Sequence, residues 1–109
     1  MEDAIYFAKG TTFTCSVFLP NLTPVGFFQD WALKSQVRRF KDNTDLGLIA
    51  DLEVTWADIP NYQQLALYFR NTDRWPVGTA ELDVLLVSPE GETVRTSAIV
   101  FEITRGITK

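Results

Sequence analysis

The sequence contains no histidine, and Cys15 is its only cysteine. Without an imidazole, Ser-His-Asp and Cys-His nucleophilic catalysis are excluded, and the commonest metal ligand is missing. One thiol cannot complete a structural zinc site or form an internal disulfide. Cys15 lies between Phe13 and Val17 on the apolar parity of its segment. That position makes it a buried structural thiol rather than a reactive one, in a chain suited to a reducing compartment. The glycines are equally sparse. Gly10, Gly26, Gly47, Gly78, Gly91 and Gly106 each stand alone at a turn, so no glycine-rich phosphate loop is present.

Positive charge is thin and forms no run longer than Arg38-Arg39. The net charge is −4, with no basic footprint for a nucleic-acid backbone. Lys34, Arg38, Arg39 and Lys41 come nearest to a cluster, and they read as a solvated strand face. No apolar run approaches the length of a membrane span. Met1-Glu2-Asp3 is acidic where a secretory leader is basic, so no signal peptide is expected. On the same ground Asn21-Leu22-Thr23, which fits the glycosylation triplet, reads as a turn.

Carboxylates are the remaining chemistry. Asp42-Asn43-Thr44-Asp45-Leu46-Gly47 loosely resembles a calcium loop. The glutamate that should follow the glycine is out of place, since Glu53 falls inside a strand pattern. A surface turn is the simpler reading. Asp51 and Glu53 share one strand face, about 7 Å apart by strand geometry, and alternation on a solvated face accounts for them without glycosidase chemistry. No enzyme activity, cofactor or metal is expected.

Aromatic residues, by contrast, are abundant. Eight Phe, three Tyr and three Trp are many for a core of 109 residues, so several are expected at the surface, where exposed aromatic area marks a partner. Apolar residues make up 46% of the chain, enough for one folded domain over residues 1–109 with a single core.

The pattern of those residues is that of strands. Ala4 to Ala8 is a short apolar run that serves as a first strand or as an arm for a neighbour. Over Thr11 to Leu19, Phe13, Cys15, Val17 and Leu19 alternate with Thr12, Thr14, Ser16 and Phe18. In the segment Ala32 to Phe40, Leu33, Ser35 and Val37 oppose Lys34, Gln36 and Arg38; the sharp parity favours a strand over a helix. Leu48, Ala50, Leu52, Val54 and Trp56 form another period-two row, and Leu65, Leu67 and Phe69 the next. Ala80, Leu82, Val84 and Leu86 lead through Ser88-Pro89-Glu90-Gly91 into Thr93 to Thr104, with Ser97, Ile99, Phe101 and Ile103 on one face. Alternation on both sides of a Pro/Gly loop is a hairpin signal. Residues 106–109 form a tail. About seven strands, turn signals between them and no convincing helix predict an all-β fold. The expected architecture is an antiparallel two-sheet β-sandwich, Ig-like in plan.

The order of several short motifs adds a resemblance. Gly10-Thr11-Thr12-Phe13 is followed by Ser35-Gln36-Val37-Arg38 and the turn Asn71-Thr72-Asp73. Trp75-Pro76-Val77-Gly78, Leu82-Asp83-Val84, the Pro89-Glu90-Gly91 loop and Phe101-Glu102-Ile103-Thr104-Arg105 complete it. Together, from Phe7 to Arg105, they resemble a family of small tailed-bacteriophage virion proteins, and the chain is similar to the N-terminal β-sandwich domain of siphophage upper baseplate proteins. The resemblance implies a non-enzymatic structural or adaptor module, made in the host cytoplasm and built into the virion. Its place would be the tail, the baseplate, a tail-fibre attachment or the head-tail junction. The implied partners are other virion proteins and copies of itself, with no nucleic acid and no membrane. Capsid decoration or a head fibre is the same physics at another address. A carbohydrate-binding module in a receptor-binding fibre is a further alternative, with Trp75 or Tyr62 stacking on sugar and Trp31 as a third stacking candidate. For protein contacts the expected residues are Ile5, Tyr6 and Phe7 on the N-terminal arm and Phe27, Phe28 and Trp31 in the following loop.

Overall fold

A computed structural model describes residues 5–19, 24–42, 44–59 and 61–107. The expected turn at Asn21-Leu22-Thr23 lies outside them. Among the described residues eight strands form: β1 (Tyr6–Ala8), β2 (Phe13–Phe18), β3 (Ala32–Arg39), β4 (Leu48–Trp56), β5 (Gln64–Phe69), β6 (Gly78–Val87), β7 (Thr93–Arg95) and β8 (Ile99–Thr104). The all-β class follows from the alternation. Inward-facing Phe13 and Val17, Val37, Leu65 and Leu67, and Ala80, Leu82, Val84 and Leu86 are all buried, as period-two patterning requires.

The architecture differs from the expected one. The strands form one hydrogen-bonded path in the order β1-β8-β6-β3-β4-β5-β2, with β7 also on β6. It is mixed rather than antiparallel, because β1 runs parallel to β8. The path curls into a nearly closed barrel. β4 makes the corner: Leu48 to Leu52 pair with β3, and Glu53 to Trp56 pair with β5. Two bulges adjust the curl. Val37 faces Ala50 while Arg38 faces Leu48, which leaves Ile49 as an extra residue. Ile49 packs against the core and Leu48 turns outward, the reverse of their expected parity; a bulge re-aims side chains in this way.

The second bulge explains the eighth strand. Leu85 pairs with Arg95, but Leu82 pairs with Ile99, so the register along β6 shifts by one residue. Between them the Thr96 N–H donates to the Val84 carbonyl at 3.0 Å, and the Thr96 hydroxyl accepts the Val84 N–H at 2.9 Å. A side-chain oxygen thus stands in for a ladder carbonyl. The single strand expected over Thr93 to Thr104 is therefore split into β7 and β8.

The two ends of the path are tied at the bottom of the barrel. Asn71 Oδ1 accepts the Asp73 N–H at 3.0 Å, closing an Asx turn. The turn aims the Thr72 hydroxyl at the β1–β2 connection. That hydroxyl accepts the Gly10 N–H at 2.9 Å and donates to the Thr11 carbonyl at 2.5 Å. Gly10 has φ +91°, a conformation suited to glycine. Above this tie Trp75 sits within 5.2–5.5 Å, centroid to centroid, of Phe7, Phe13 and Phe69. Phe101 stacks on Phe13 at 5.6 Å. This aromatic cluster plugs one end of the core.

Candidate interaction surface

The residues expected to face a partner fall into separate environments. Ile5 and Tyr6 are exposed. Phe7 is not part of that surface. Strand β1 belongs to the chain's own sheet, held by Glu102 N–H to the Ile5 carbonyl and Lys9 N–H to the Thr104 carbonyl, both 2.8 Å. Alternation then turns Phe7 inward, edge-to-face on Phe13 at 5.1 Å.

The 24–31 loop divides in the same way. Its turn is built by Phe27 N–H to the Pro24 carbonyl, Gln29 N–H to Gly26 and Trp31 N–H to Phe28, each 3.1 Å. It is anchored to the neighbouring connection by Gly26 N–H to the Asn61 carbonyl at 2.9 Å. The tight winding sends adjacent side chains in opposite directions. Phe28 is 5% exposed and belongs to the core, whereas Phe27 is 51% exposed. Trp31 is half-buried between them, 4.9 Å from Phe28 and 5.9 Å from Phe27. The expected interface role of Phe28 is thereby corrected to core packing. Phe28→Ser is expected to destabilise by about 3 kcal/mol or more. Phe27→Ser should cost about 1 kcal/mol at most, the scale of a surface aromatic pair. Urea unfolding of both variants checks the contrast.

The sugar-stacking candidates are likewise separated. Trp75 is 3% exposed, so no ring face is open to a saccharide, and that assignment is corrected. Tyr62 is half-buried and lies edge-to-face on Trp56 at 5.3 Å. Its connection is shaped by Asp58, whose carboxylate accepts the Gln63 and Gln64 N–H groups at 2.9 and 2.7 Å. Tyr62 takes φ +56° within that turn.

Of the charged candidates, Arg38 and Asp51 have local hydrogen-bond partners. Gln36 accepts from Arg38 at 2.9 Å and donates to Asp51 at 2.7 Å, and Arg38 also reaches the Thr44 carbonyl at 3.1 Å. This is a solvated strand face with its own hydrogen bonds. Asp83 meets Arg95 at 3.5 Å, an exposed pair of the kind worth about 1 kcal/mol or less. In the loop compared with a calcium site, the Asp42 carboxylate accepts the Thr44 hydroxyl and N–H, which holds its pKa below the usual range. Asn43 and the Asp45 side chain lie outside the described residues. Among the described residues, no three His, Cys, Asp or Glu side chains are grouped to hold a metal ion.

Burial pushes the Cys15 thiol above its ordinary range. The folded chain then keeps a proton that the unfolded chain releases from about pH 8.5 upward. This contribution to stability is constant below that pH and falls as pH rises above it. Alkylation at pH 8 is expected to be slower in the native chain than in urea, because the thiolate is the nucleophile. Equal rates would show Cys15 to be freely accessible.

The surface that patterning did not single out lies at the top of the barrel seam. Phe18 is 72% exposed, on the polar parity of β2 beside Thr14 and Ser16. An aromatic residue on an otherwise hydroxylated face was its only signal. Phe18, Phe27 and buried Phe28 line one side of a cleft of about 590 Å³, and Val94, Thr96 and Ile99 line the other. This is an apolar end of the barrel. No protein-family model matches the chain, and no curated protein matches it significantly in sequence.

Proposed function

We propose that the chain is a non-enzymatic structural or adaptor module of a tailed-phage virion. It would act by packing on neighbouring subunits in the tail, baseplate, tail-fibre attachment or head-tail junction. The observation that carries the packing role is the apolar end where exposed Phe18 and Phe27 line one cleft. Large apolar side chains gathered at one end of a small domain lose water contact when a partner covers them, at roughly 25 cal/mol per Å². The order of motifs from Gly10 to Arg105 supports the virion address, through its resemblance to small tail and baseplate proteins. The lack of histidine supports a role without acid–base or nucleophilic chemistry. Ile5 and Tyr6 add a second exposed apolar area at the start of β1.

Gold labelling of a tagged chain in intact particles tests the reading. Label at a fixed position on the tail, at its tip or at its junction with the head is the expected result. Label spread over the capsid would replace the tail address with a decoration role. Absence from purified particles would overturn the proposal.

A further inference from the structure

We infer that the cleft at the barrel seam is a docking site for an extended polypeptide strand from another subunit, inserted between β2 and β7. The inference deepens the packing role proposed above and rests on it for the source of the strand. The first observation is a pair of open backbone edges. In the β2–β5 register the Leu19 N–H donates to the Gln63 carbonyl. Hydrogen-bonding alternates along an antiparallel pair, so the odd-numbered residues of β2 bond to β5. The N–H and C=O groups of Thr14, Ser16 and Phe18 therefore point away from β5, and β2 has no second neighbour among the described strands. On the other side the Ser88 N–H donates to the Glu92 carbonyl and the Thr96 N–H to the Val84 carbonyl. Even-numbered residues of β7 thus bond to β6, and the backbone groups of Thr93 and Arg95 point outward. Ser16, Phe18 and Arg95 line the same cleft.

The second observation is an inward-facing side chain without cover. Val94 lies directly opposite Leu86, so both point to the barrel interior. Leu86 is fully buried, yet Val94 is 38% exposed. A strand in the seam would cover it, and would rest on Val17, Leu19 and Ile99, which share the cleft.

The third observation sets direction. Five antiparallel pairings separate β2 from β7, so the two run in opposite senses. β1, parallel to β8, already occupies the lower seam beside Glu102 to Thr104. The cleft continues that line past Ile99. The incoming strand follows β1, antiparallel to β2 and parallel to β7. Strand addition of this kind takes affinity from main-chain pairing and selectivity from alternate side chains. The occupant therefore carries apolar residues at every second position. A compact apolar ligand would fill the cleft but leave the backbone edges unpaired.

The test uses the full chain and an acetylated octapeptide, Lys-Thr-Val-Thr-Val-Thr-Val-Lys, followed by amide hydrogen exchange. In the free chain the Ser16, Phe18, Thr93 and Arg95 amides are expected to exchange fast, and Val17 slowly. Saturating peptide should slow those four at least about tenfold and leave Ile107 unchanged. Ser16→Pro removes an outward N–H at a position where an edge strand accepts proline, and should weaken binding about tenfold or more. The same peptide N-methylated at alternate residues should fail to bind the unaltered chain, which tests pairing without altering the fold. The inference is overturned if millimolar peptide leaves the four amides unprotected, or if the N-methylated peptide binds equally well. It is also overturned if those amides are already protected in the free monomer, or become protected only on self-association in sedimentation. Any of these results in a chain that gold labelling places in particles removes the strand site and leaves the packing role standing.

Discussion

Replacing Trp75 by alanine is expected to lower the unfolding free energy by about 3–5 kcal/mol, the cost of truncating a large buried aromatic. Its melting temperature should fall on the order of 15 °C, since each kcal/mol moves a domain of this size by several degrees. The indole is the centre of the aromatic cluster, in contact with Phe7 on β1, Phe13 on β2 and Phe69 on β5. Its removal leaves a cavity that neighbours on separate strands cannot jointly close. The Nε1–H of Trp75 is buried and has no hydrogen-bond partner among the described residues. Trp75→Phe keeps most of the volume and discards that polar atom, so it should cost well under half as much as the alanine change. Calorimetry on both variants separates packing from polarity. A loss below 1 kcal/mol for Trp75→Ala would show that the indole is not the plug of this end.

Removal of residues 1–8 is expected to destabilise the domain by about 3 kcal/mol or more, on the scale of losing a large aromatic from a core. A docking arm would come away without cost, but β1 is part of the sheet. Its loss exposes the Glu102–Thr104 edge of β8 and removes Phe7 from Phe13 and Trp75. Two point variants locate the effect. Phe7→Ala should account for most of the loss, whereas Tyr6→Ser, on the exposed side of the same strand, should be within about 0.5 kcal/mol of neutral. Chemical unfolding with an unchanged m-value would mark the change as one of stability rather than of compactness. If the truncated chain unfolds at the same urea concentration as the full one, β1 contributes no stability and the arm reading returns.

These two results bear on where the working surface lies. If Phe7, Phe28 and Trp75 behave as core residues, the most exposed aromatics left for a partner among the described residues are Tyr6, Phe18 and Phe27. Phe18 and Phe27 stand at the cleft, at the end of the molecule where the seam is open.

What the amino-acid order determined by itself is the strand content and the inward face of most strands. A side chain in a strand has only two directions to point. Phe13 and Val17, Leu65 and Leu67, and Ala80, Leu82, Val84 and Leu86 therefore announce their burial without reference to any other element. Turn chemistry was legible for the same local reason: Asn71-Thr72-Asp73 forms its Asx turn from its own side chain. What only the tertiary structure decided depends on distant partners. The extra residue Ile49 exists only relative to β3, and the split at Thr96 only relative to β6. The parallel pairing of β1 with β8 joins opposite ends of the chain, and nothing in Tyr6-Phe7-Ala8 specifies that neighbour. Phe27 and Phe28 are identical neighbours in a loop without periodicity, and the winding of that loop alone separates core from surface. The seam itself, an absence of pairing between β2 and β7, is a property of how the sheet curls, because a strand edge is open or covered only by virtue of what lies beside it.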